Sequence, residues 1–324
     1  MKAIAWTHYG APENVLQFIE IPRPSPGDGE VLIRVMASDV TAGDVRLRAF
    51  DVPIGFWLLT RLMFGVLRPR KRVPGMDFAG VVEAVGSSVS GFQPGDRVFG
   101  TAGMHFGAHA EYLCLTENAV MIRLPDEVSF QAAVACLFGG QTAVHFLENQ
   151  AGLSIGQSIL INGASGGVGS AAVQIAKHLG GEVTGVCSTA HLELVRSLGA
   201  DRVIDYSTQE LFDEGKDYDF IMDLAGNIPL STARAHLKAE GKFIAINTGL
   251  LTNLRALFDS HLISGVAEER TQILERLADL IREGHLKPVI DRVYSLEQIV
   301  EAHRYVDQGH KTGSVLIQIG PDSD

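Results

Sequence analysis

The stretch Ser158-Ile-Leu-Ile-Asn-Gly-Ala-Ser-Gly-Gly-Val-Gly-Ser-Ala-Ala-Val-Gln-Ile-Ala-Lys177 decides the fold class of this 324-residue chain. An apolar run of strand length leads directly into glycines, and the glycines lead into an alanine-rich segment of helix length. Ala164-Ser-Gly-Gly-Val-Gly169 fits the pattern G-x-G-x-x-G with alanine in the first place. Such a junction presents backbone N–H groups at a helix N-terminus, where they can bind a pyrophosphate. The stretch therefore predicts a dinucleotide site.

The glycines of this loop have separate predicted roles. Gly166 lets the backbone approach the pyrophosphate, and Gly169 lets the helix pack closely against the strand. The alternative, a tight turn that binds nothing, is disfavoured because strand, glycines and helix coincide. The predicted cofactor contacts in the loop are Ala164, Ser165, Gly166, Gly167, Val168 and Gly169.

Around the loop, candidate strands alternate with segments of helix length, one of them at Thr208–Glu214. The candidate strands are Ser158–Asn162, Glu182–Cys187, Arg202–Asp205, Tyr218–Leu224, Lys242–Asn247 and His261–Val266. Because parallel strands need crossover connections, this pattern predicts an α/β fold with a doubly wound, parallel, six-stranded Rossmann sheet. Before residue 126, short β-rich runs divided by Pro/Gly turns indicate an all-β region.

The composition excludes several classes of protein. Hydrophobic residues at 46% and charged residues at 20% are typical of a globular protein. A net charge of −11 would repel a phosphate backbone, so we expect no nucleic-acid partner. The cysteines Cys114, Cys136 and Cys187 form no C-x-x-C pair, which indicates a reducing compartment. No apolar run reaches the roughly 20 residues of a membrane span, so we expect a cytoplasmic protein.

The end of the second candidate strand predicts which dinucleotide binds. An NAD site usually places Asp or Glu about 20 residues beyond the glycines, to hold the ribose 2′-OH. Here Val186-Cys-Ser-Thr-Ala-His191 contains no carboxylate, whereas Ser188, Thr189 and His191 can donate hydrogen bonds to a 2′-phosphate. NADP(H) is therefore favoured over NAD(H). For His191, an ordinary place at a helix start is an equal alternative.

Motifs outside the loop extend over nearly the whole chain. They are Met1-Lys-Ala-Ile4, Tyr9-Gly-Ala-Pro12, Gly29-Glu-Val-Leu-Ile-Arg-Val35, Pro74-Gly-Met-Asp-Phe-Ala-Gly-Val-Val82, Gly95-Asp-Arg-Val98, Gly107-Ala-His-Ala-Glu-Tyr112, Leu198-Gly-Ala-Asp201, Val203-Ile-Asp-Tyr206 and Lys287-Pro-Val-Ile290. Together with the glycine loop they resemble the zinc-free quinone-oxidoreductase branch of the medium-chain dehydrogenase/reductase superfamily. The resemblance implies a GroES-like catalytic β domain from residues 1–125 and 267–324, and a Rossmann NADP(H)-binding domain from residues 126–266. It also implies an active-site cleft between the domains, and a homodimer.

The resemblance adds further cofactor contacts. A threonine in the Gly140-Gln-Thr142 position, a basic residue where His191 stands, and the tyrosine at Tyr206 contact NADPH in similar proteins. Asn247 and Thr248 match the segment near the nicotinamide. For Tyr206, an aromatic at the rim of the core is the alternative.

Zinc-dependent relatives hold their catalytic metal with a Cys, a Gly-His-Glu segment and a second Cys. In this chain the first position falls near Ser38-Asp39, and Gly75-Met76-Asp77 stands in place of Gly-His-Glu. With no cluster of cysteines, the sequence predicts no metal site. His105 and His109 lie four apart without an intervening Glu, so a satisfied or solvated pair is the better interpretation.

Without a Lewis acid, the substrate must itself be a ready electrophile, such as a quinone or an α,β-unsaturated carbonyl. Val40-Thr-Ala-Gly-Asp44 matches the family segment that lines the cleft. It makes Thr41 the candidate hydroxyl near the nicotinamide and Asp44 an orienting acceptor. Family members often have Asn where Thr41 stands, so water is an alternative proton donor. Asp44 as a helix cap is an equal alternative.

The segment Asp51–Arg72 is apolar and then basic. An apolar flap over the cleft, with a solvated basic end, is favoured over a segment lying on a membrane. The leading function is an NADPH-dependent reductase of small electrophilic quinones or enones. A zinc-free alcohol dehydrogenase and a non-catalytic dinucleotide-binding interaction protein are the alternatives.

Overall fold

The structure is a computed structural model that describes residues 1–53, 55–213, 215–246 and 248–321. The N-terminal part of the chain is mostly β-structure. Its strands β1 to β7 are Lys2–Trp6, Leu16–Glu20, Glu30–Asp39, Asp77–Val85, Arg97–Thr101, Tyr112–Thr116 and Met121–Arg123. Its helices α1 to α3 are Pro12–Val15, Ala42–Ala49 and Trp57–Phe64.

The middle of the chain alternates between helices and strands. It begins with α4, Phe130–Ala143, which continues as a π-helical segment to Ala151. Strands β8 to β13 are Ser158–Asn162, Glu182–Cys187, Arg202–Asp205, Tyr218–Asp223, Leu237–Ile246 and Leu262–Gly265, and helices α5 to α8 are Gly167–His178, Leu192–Ser197, Leu230–Ala235 and Leu250–Ala256. Within the described ranges these six strands form one parallel sheet in the order β10-β9-β8-β11-β12-β13. The loop after β8 therefore lies where the strand order reverses, which is the usual ligand position in such sheets.

The C-terminal part of the chain returns to the first sheet. It contains α9 at Thr271–Arg282, β14 at Ile290–Ser295, α10 at Ile299–Asp307 and β15 at Ser314–Gln318. Strand β15 pairs antiparallel with β3, and the described strands of this sheet run β14-β15-β3-β4-β5-β7, with β6 on β3. The predicted fold, a β domain from both ends of the chain and a parallel sheet between them, is confirmed. The boundaries after residues 125 and 266 stay a prediction.

Helix α4 joins the two sheets. One buried core cluster contains Ala79 and Phe99 of the first sheet, Ile159 and Ile161 of β8, and the apolar side chains of α4. The span from Phe130 to Ala151 is long and apolar enough to cross a membrane, but 83% of its most apolar 18-residue stretch is buried inside the protein. Burial of a large apolar side chain contributes about 1.5–3 kcal/mol. The apolar character of this span is therefore explained by its place in the core between the two sheets.

The helix expected at Thr208–Glu214 is not present in the described residues 208–213, which form turns. The backbone N–H groups of Thr208 and Gln209 both donate to the Asp205 carbonyl, and the Gln209 side chain accepts from the Asp205 N–H. The bond from the Gln209 N–H forms a single helical turn, but no backbone N–H of the described residues 210–213 donates a further bond of this kind, so the turn is not continued. The expectation of a helix was therefore wrong there.

Candidate active site

The glycine loop connects the centre of the parallel sheet to α5. Gly163 has a φ of +87°, a conformation that suits glycine, and Gly166 caps the helix in an extended conformation. A Cβ atom on Gly169 would lie 2.0 Å from the Gly163 carbonyl oxygen, so the close approach of helix and strand requires glycine there. A Cβ on Gly166 would meet only that same oxygen, at 3.5 Å. The loop thus has a crowded inner side at Gly169 and an open side at Gly166.

A lysine from the C-terminal part of the chain lies beside this helix start. The Gly313 N–H donates to the Ser165 carbonyl, at 2.9 Å, which ties the residues before β15 to the loop. The Lys311 ammonium donates to the Gly313 carbonyl and lies 3.1 Å from the position of a Cβ on Gly167. Burial lowers the pKa of Lys311, against the opposing effect of Asp39 and Asp291. A partly buried cation therefore faces the positive end of a helix.

Among the described residues, no carboxylate oxygen lies within 4 Å of the Lys311 nitrogen. The N-terminus of α5 adds the partial positive charge of its free N–H groups. Two positive groups with no anion between them favour binding of a phosphate. Lys311 is thus a candidate pyrophosphate ligand that the sequence analysis missed.

At the ends of β9 and β10, the predicted 2′-phosphate ligands are held by one another and by their neighbours. Ser188 Oγ lies 3.1 Å from Nδ1 of His191, whose Nε2 lies 2.8 Å from Thr312 Oγ1. Thr189 Oγ1 donates to Asp205 at 2.6 Å. The structure thus brings Ser188 and His191 together, and it directs the Thr189 proton away from any outside ligand.

Asp205 is a carboxylate that the sequence analysis did not consider at this edge. It ends β10 opposite Cys187, and the hydrogen bond from Thr189 lowers its pKa. Its other oxygen accepts from the Ser207 N–H. Tyr206 follows it with a largely exposed side chain. An ionised Asp205, shielded by two donors, is therefore part of the surroundings that a 2′-phosphate would meet.

The remaining predicted cofactor ligands lie on α4 and after β12. The Thr142 hydroxyl is buried and donates to the Phe138 carbonyl, one helical turn earlier. The Thr248 hydroxyl lies 2.6 Å from that of Ser264. Asn247 falls outside the described residues. The contact of all these predicted residues with a cofactor stays a prediction.

Thr41 and Asp44 form a closed pair at the start of α2. The Thr41 hydroxyl donates to the Asp44 carboxylate at 2.6 Å and accepts from the Asp44 N–H at 3.1 Å. The same carboxylate oxygen accepts from the Thr41 N–H at 2.9 Å, which completes a capping box. Both side chains are buried. Asp44 therefore has the helix-capping role, and the Thr41 proton is already engaged.

Two further acids are buried at the ends of β3 and β4. Burial, with Asp77 and Asp44 nearby, raises the pKa of Asp39 well above its usual value. Burial likewise raises the pKa of Asp77 to about 8, with Asp44 and Glu269 adding to the shift and Thr101 opposing it. One oxygen of each carboxyl group is buried without a hydrogen-bond partner. Asp77 is therefore mainly a neutral acid at pH 7.

The histidines His105 and His109, which lie four residues apart, differ in environment. His105 is exposed, whereas His109 is fully buried with its Nε2 at 2.8 Å from the Asp39 carbonyl. Burial lowers the pKa of His109, so the ring is neutral and donates this hydrogen bond. In the described part of the chain, no three His, Cys, Asp or Glu side chains are grouped closely enough to hold a metal ion. His105 is thus solvated, whereas His109 is buried with one ring nitrogen bonded and its Nδ1 without a hydrogen-bond partner in the described residues.

Sequence reasoning missed Lys311, Asp77 and Asp39 as members of this region. Lys311 lies far along the chain from the glycine loop. The pairing of β15 with β3, together with the hydrogen bond from Gly313 to Ser165, brings it to the loop. The acid of Gly75-Met76-Asp77 was noted only as a replaced metal ligand. A charged residue at the inner end of a strand that is otherwise apolar is the signal that could have found both acids.

Comparison with known proteins supports the same architecture. Residues 27–126 match a family model described as the alcohol dehydrogenase GroES-like domain. Residues 198–317 match one described as zinc-binding dehydrogenase. The chain is 36% identical to the chloroplastic quinone-oxidoreductase QR1 of Triphysaria versicolor, over 98% of both chains.

Two other comparisons agree with this one. The chain is 32% identical to the chloroplastic NADPH-dependent alkenal/one oxidoreductase of Arabidopsis thaliana, over 98% of this chain and 79% of that protein. The solved structure of the quinone oxidoreductase from Coxiella burnetii superposes with a TM-score of 0.85 at 28% identity. That match covers 98% of this chain and 99% of the other.

Proposed function

This chain belongs to the quinone oxidoreductases of the medium-chain dehydrogenase/reductase family, and we propose that it reduces quinones or α,β-unsaturated carbonyls with NADPH and without a metal ion. Its relatives are named for these two substrate classes. The observation that supports the proposal most strongly is Lys311 beside the open glycine loop, with no carboxylate within ion-pair distance in the described residues. The family, the fold and the NADP(H)-dependent reductase activity predicted from the sequence are confirmed.

The residues of the loop region fit a dinucleotide. Gly166 leaves room for a pyrophosphate, the α5 N-terminus supplies N–H donors, and Lys311 supplies a positive charge that has no carboxylate partner in the described residues. When bound, NADPH supplies the hydride. The loop, the α5 N-terminus and Lys311 would hold the phosphates, and Thr41 and Asp44 are the residues proposed to lie near the nicotinamide.

Zinc independence follows from the side chains available. One of the matching family models is described as a zinc-binding dehydrogenase, but the chain has three widely separated cysteines and Met76 where those enzymes have histidine. With no Lewis acid, hydride transfer requires a substrate whose negative charge is delocalised, as in a hydroquinone or an enolate. Dialysis against a strong chelator, with metal analysis, tests this. We expect full turnover afterwards, and a loss that zinc restores would contradict the proposal.

Solvent is the proposed source of the final proton. The Thr41 hydroxyl already donates to Asp44 and accepts from its N–H, so its proton is engaged within the pair. Its remaining capacity is to accept a hydrogen bond from a water molecule. The proposed role of the pair is therefore to fix the end of β3 and the start of α2 at the reacting end of the cofactor.

Steady-state oxidation of NADPH tests the reaction itself. We expect NADPH consumption with quinones and with enones, and no NADP⁺ reduction with simple alcohols. Alcohol oxidation without an enone or quinone reaction would support a dehydrogenase instead. NADPH binding without turnover of any electrophile would support a dinucleotide-binding interaction protein.

The preference for NADP(H) rests on Ser188 and His191, which lie together at the end of β9. We expect His191→Ala to weaken binding of NADPH while leaving NADH nearly unchanged. Ser188→Asp should reverse the preference, because a carboxylate repels the 2′-phosphate and accepts from a 2′-OH. Equal dissociation constants for the two cofactors in the unmodified protein would contradict the assignment.

A homodimer is part of the same proposal. In the described residues, strand β13 lies at the edge of the parallel sheet, and Phe258 and Val266 beside it are each 90% exposed. An exposed edge strand with apolar neighbours favours pairing with a second copy. Light scattering on the eluting protein measures the mass. A monomer at micromolar concentration would contradict the proposal.

The proposed compartment is the cytoplasm. Cys136 and Cys187 are buried, and burial raises the pKa of their thiols to about 12 and about 11. Such thiols are unreactive and stay reduced in a cytosolic environment. Fractionation of the source cells tests the proposal, and recovery of the protein from an oxidising compartment would contradict it.

A further inference from the structure

Helix α3 presents an apolar face to solvent. Leu58 and Leu59 are 65% and 53% exposed, and Leu67 just beyond the helix is 85% exposed. Trp57 lies at the edge of this face, 56% exposed, with its ring packed edge-on against Phe50. Leu62, Met63 and Val66 continue the same face. A contiguous exposed apolar patch in a protein of this kind marks a site of interaction with another molecule or with a membrane.

The opposite face of α3 is firmly attached to the protein. The Arg61 guanidinium stacks on Phe50 at 3.7 Å and on Tyr9 at 4.5 Å from the ring centroids. It also donates to the Val66 carbonyl at 2.8 Å, and the Tyr9 hydroxyl donates to the Gly65 carbonyl at 2.9 Å. Cation–π contacts of this kind add to the stability of the attached face. The outward side chains are therefore held on a fixed helix.

The residues that follow the helix are strongly basic. Arg68, Arg70, Lys71 and Arg72 are all exposed. Over the described parts of the chain, none of these four has a carboxylate oxygen within 4 Å. The protein as a whole has a net charge of −11. This segment is thus a local concentration of unpaired positive charge on an acidic protein.

A cavity of about 940 Å³ lies beside this basic segment. Its walls include Thr7 and His8 after β1, and Arg68, Arg70 and Arg72. Three guanidinium-bearing residues around one cavity favour a phosphate, because each guanidinium can donate two parallel hydrogen bonds to phosphate oxygens. The cavity adjoins the apolar face, since Val66 and Leu67 also line it.

From these observations we propose that the α3 surface, residues 57–72, docks on an anionic lipid bilayer. The apolar side chains of α3 would enter the acyl boundary, while the arginines around the cavity bind lipid phosphates. This combination of an apolar helix face with adjacent basic residues is the pattern of a helix that lies in a membrane interface. In a two-fold contact between copies this face would meet itself and bring two sets of the same basic residues together, which disfavours a second copy as the occupant. The inference goes beyond the proposed function.

Docking is compatible with the flap expected from the sequence. A Cβ on Gly55, just before α3, would lie 2.7 Å from Leu250 Cβ, so the segment leading into α3 reaches the start of α8. The inner face of the segment packs against the protein, and the outer face is available to lipid. A flap that packs against the protein on its inner side can therefore also bind lipid with its outer side.

Vesicle flotation tests the proposal with the full-length protein. The probes are vesicles of pure phosphatidylcholine and vesicles with about 30% phosphatidylglycerol. We expect at least tenfold more protein to float with the anionic vesicles, and most of it to be released in 0.5 M salt at roughly a 4 Å Debye length. Equal binding to both vesicle types, or no binding to either, would overturn the proposal.

Two variants separate the charge from the apolar face. Arg68→Ser/Arg70→Ser/Arg72→Ser should reduce flotation at least tenfold, and Leu58→Ser/Leu62→Ser should also reduce it. The matched control removes three exposed arginines elsewhere, Arg196, Arg282 and Arg304, which have surface ion pairs. The control should float like the unmodified protein. All variants change exposed side chains, and an unchanged melting temperature verifies folding.

Trp57 gives a direct readout of insertion. The chain has two tryptophans, and Trp6 is buried, so a change of emission with vesicles comes from Trp57. We expect a shift to shorter wavelength and quenching by brominated lipid, both absent in Trp57→Phe. If the Leu58/Leu62 variant alters the molecular mass in solution but not the flotation, the face is an interface between copies and the proposal is wrong.

Discussion

The two ends of the candidate site differ in charge and in how far their polar groups are already paired. At the glycine loop, the helix start and Lys311 are both positive and meet no carboxylate within ion-pair distance in the described residues. At the ends of β3 and β4, Thr41 and Asp44 satisfy one another, and Asp39 and Asp77 are buried acids. The loop end thus favours an external anion, whereas the acid end would repel one.

The largest effect is expected from filling the crowded side of the loop. In Gly169→Val the new Cβ would lie 2.0 Å from the Gly163 oxygen, so helix and strand must separate and NADPH binding should be lost. Gly166→Ala is the matched control for folding, because its Cβ meets only one protein atom, at 3.5 Å. It should stay folded and lose affinity through contact with the pyrophosphate. Fluorescence titration with NADPH measures both, and unchanged affinity in a folded Gly169→Val variant would contradict the assignment.

Removing the cation tests whether the loop end needs its charge. Lys311→Met should weaken NADPH binding about 10- to 100-fold, corresponding to roughly 1.4–2.8 kcal/mol. Lys311→Arg should retain most of the affinity. Lys177→Met removes a lysine that is paired with Asp201 on the surface, and it should bind NADPH normally. Equal affinity in the Lys311→Met and Lys177→Met variants would show that Lys311 does not contact the cofactor.

Opening the Thr41–Asp44 pair tests whether the acid end is structural. Thr41→Val removes both hydrogen bonds of the Thr41 hydroxyl, the one to the Asp44 carboxylate and the one from the Asp44 N–H, which should lower the free energy of unfolding by about 1–2 kcal/mol. Thr41→Ser keeps the hydroxyl and should restore most of this stability. With solvent as proton source, kcat for a quinone should fall by less than about tenfold in either variant. A far larger fall of kcat in a stable Thr41→Val protein would make Thr41 the proton donor.

The last prediction concerns the dependence of stability on pH. The folded protein keeps the Asp77 proton up to a pKa of about 8, whereas the ordinary value is 3.8. Between these values the folded state binds more protons than the unfolded state, so this group makes stability fall as pH rises. The decline is at most about 1.4 kcal/mol per pH unit.

Asp77→Asn should remove that decline, as measured by urea unfolding between pH 5 and pH 8. The control is Asp126→Asn, since the Asp126 side chain is 96% exposed. The same pH slope in the unmodified protein and in the Asp77→Asn variant would mean that Asp77 is ionised in the folded state.

Much of the fold could be predicted because it depends on local patterns. Apolar runs of strand length between helix-length segments located β8, β9 and β10 within the bounds that the structure has, since a buried parallel strand must be almost wholly apolar. The glycine loop was found for the same reason, because strand, turn and helix are contiguous in sequence. The expected helix at Thr208–Glu214 failed because the turn after Asp205 is not continued by further helical hydrogen bonds in the described residues 210–213.

What the sequence by itself determined is the family, the parallel sheet, the glycine loop and the expected chemistry of an NADPH-dependent reductase. Only the tertiary structure placed Lys311 at the loop, paired Thr41 with Asp44, and buried Asp39 and Asp77 among like charges. The physical reason is that periodicity and turn residues act between neighbours in the chain. Charge, burial and hydrogen bonding at this site act between β3, β4 and the residues before β15, which meet only after the sheet has formed.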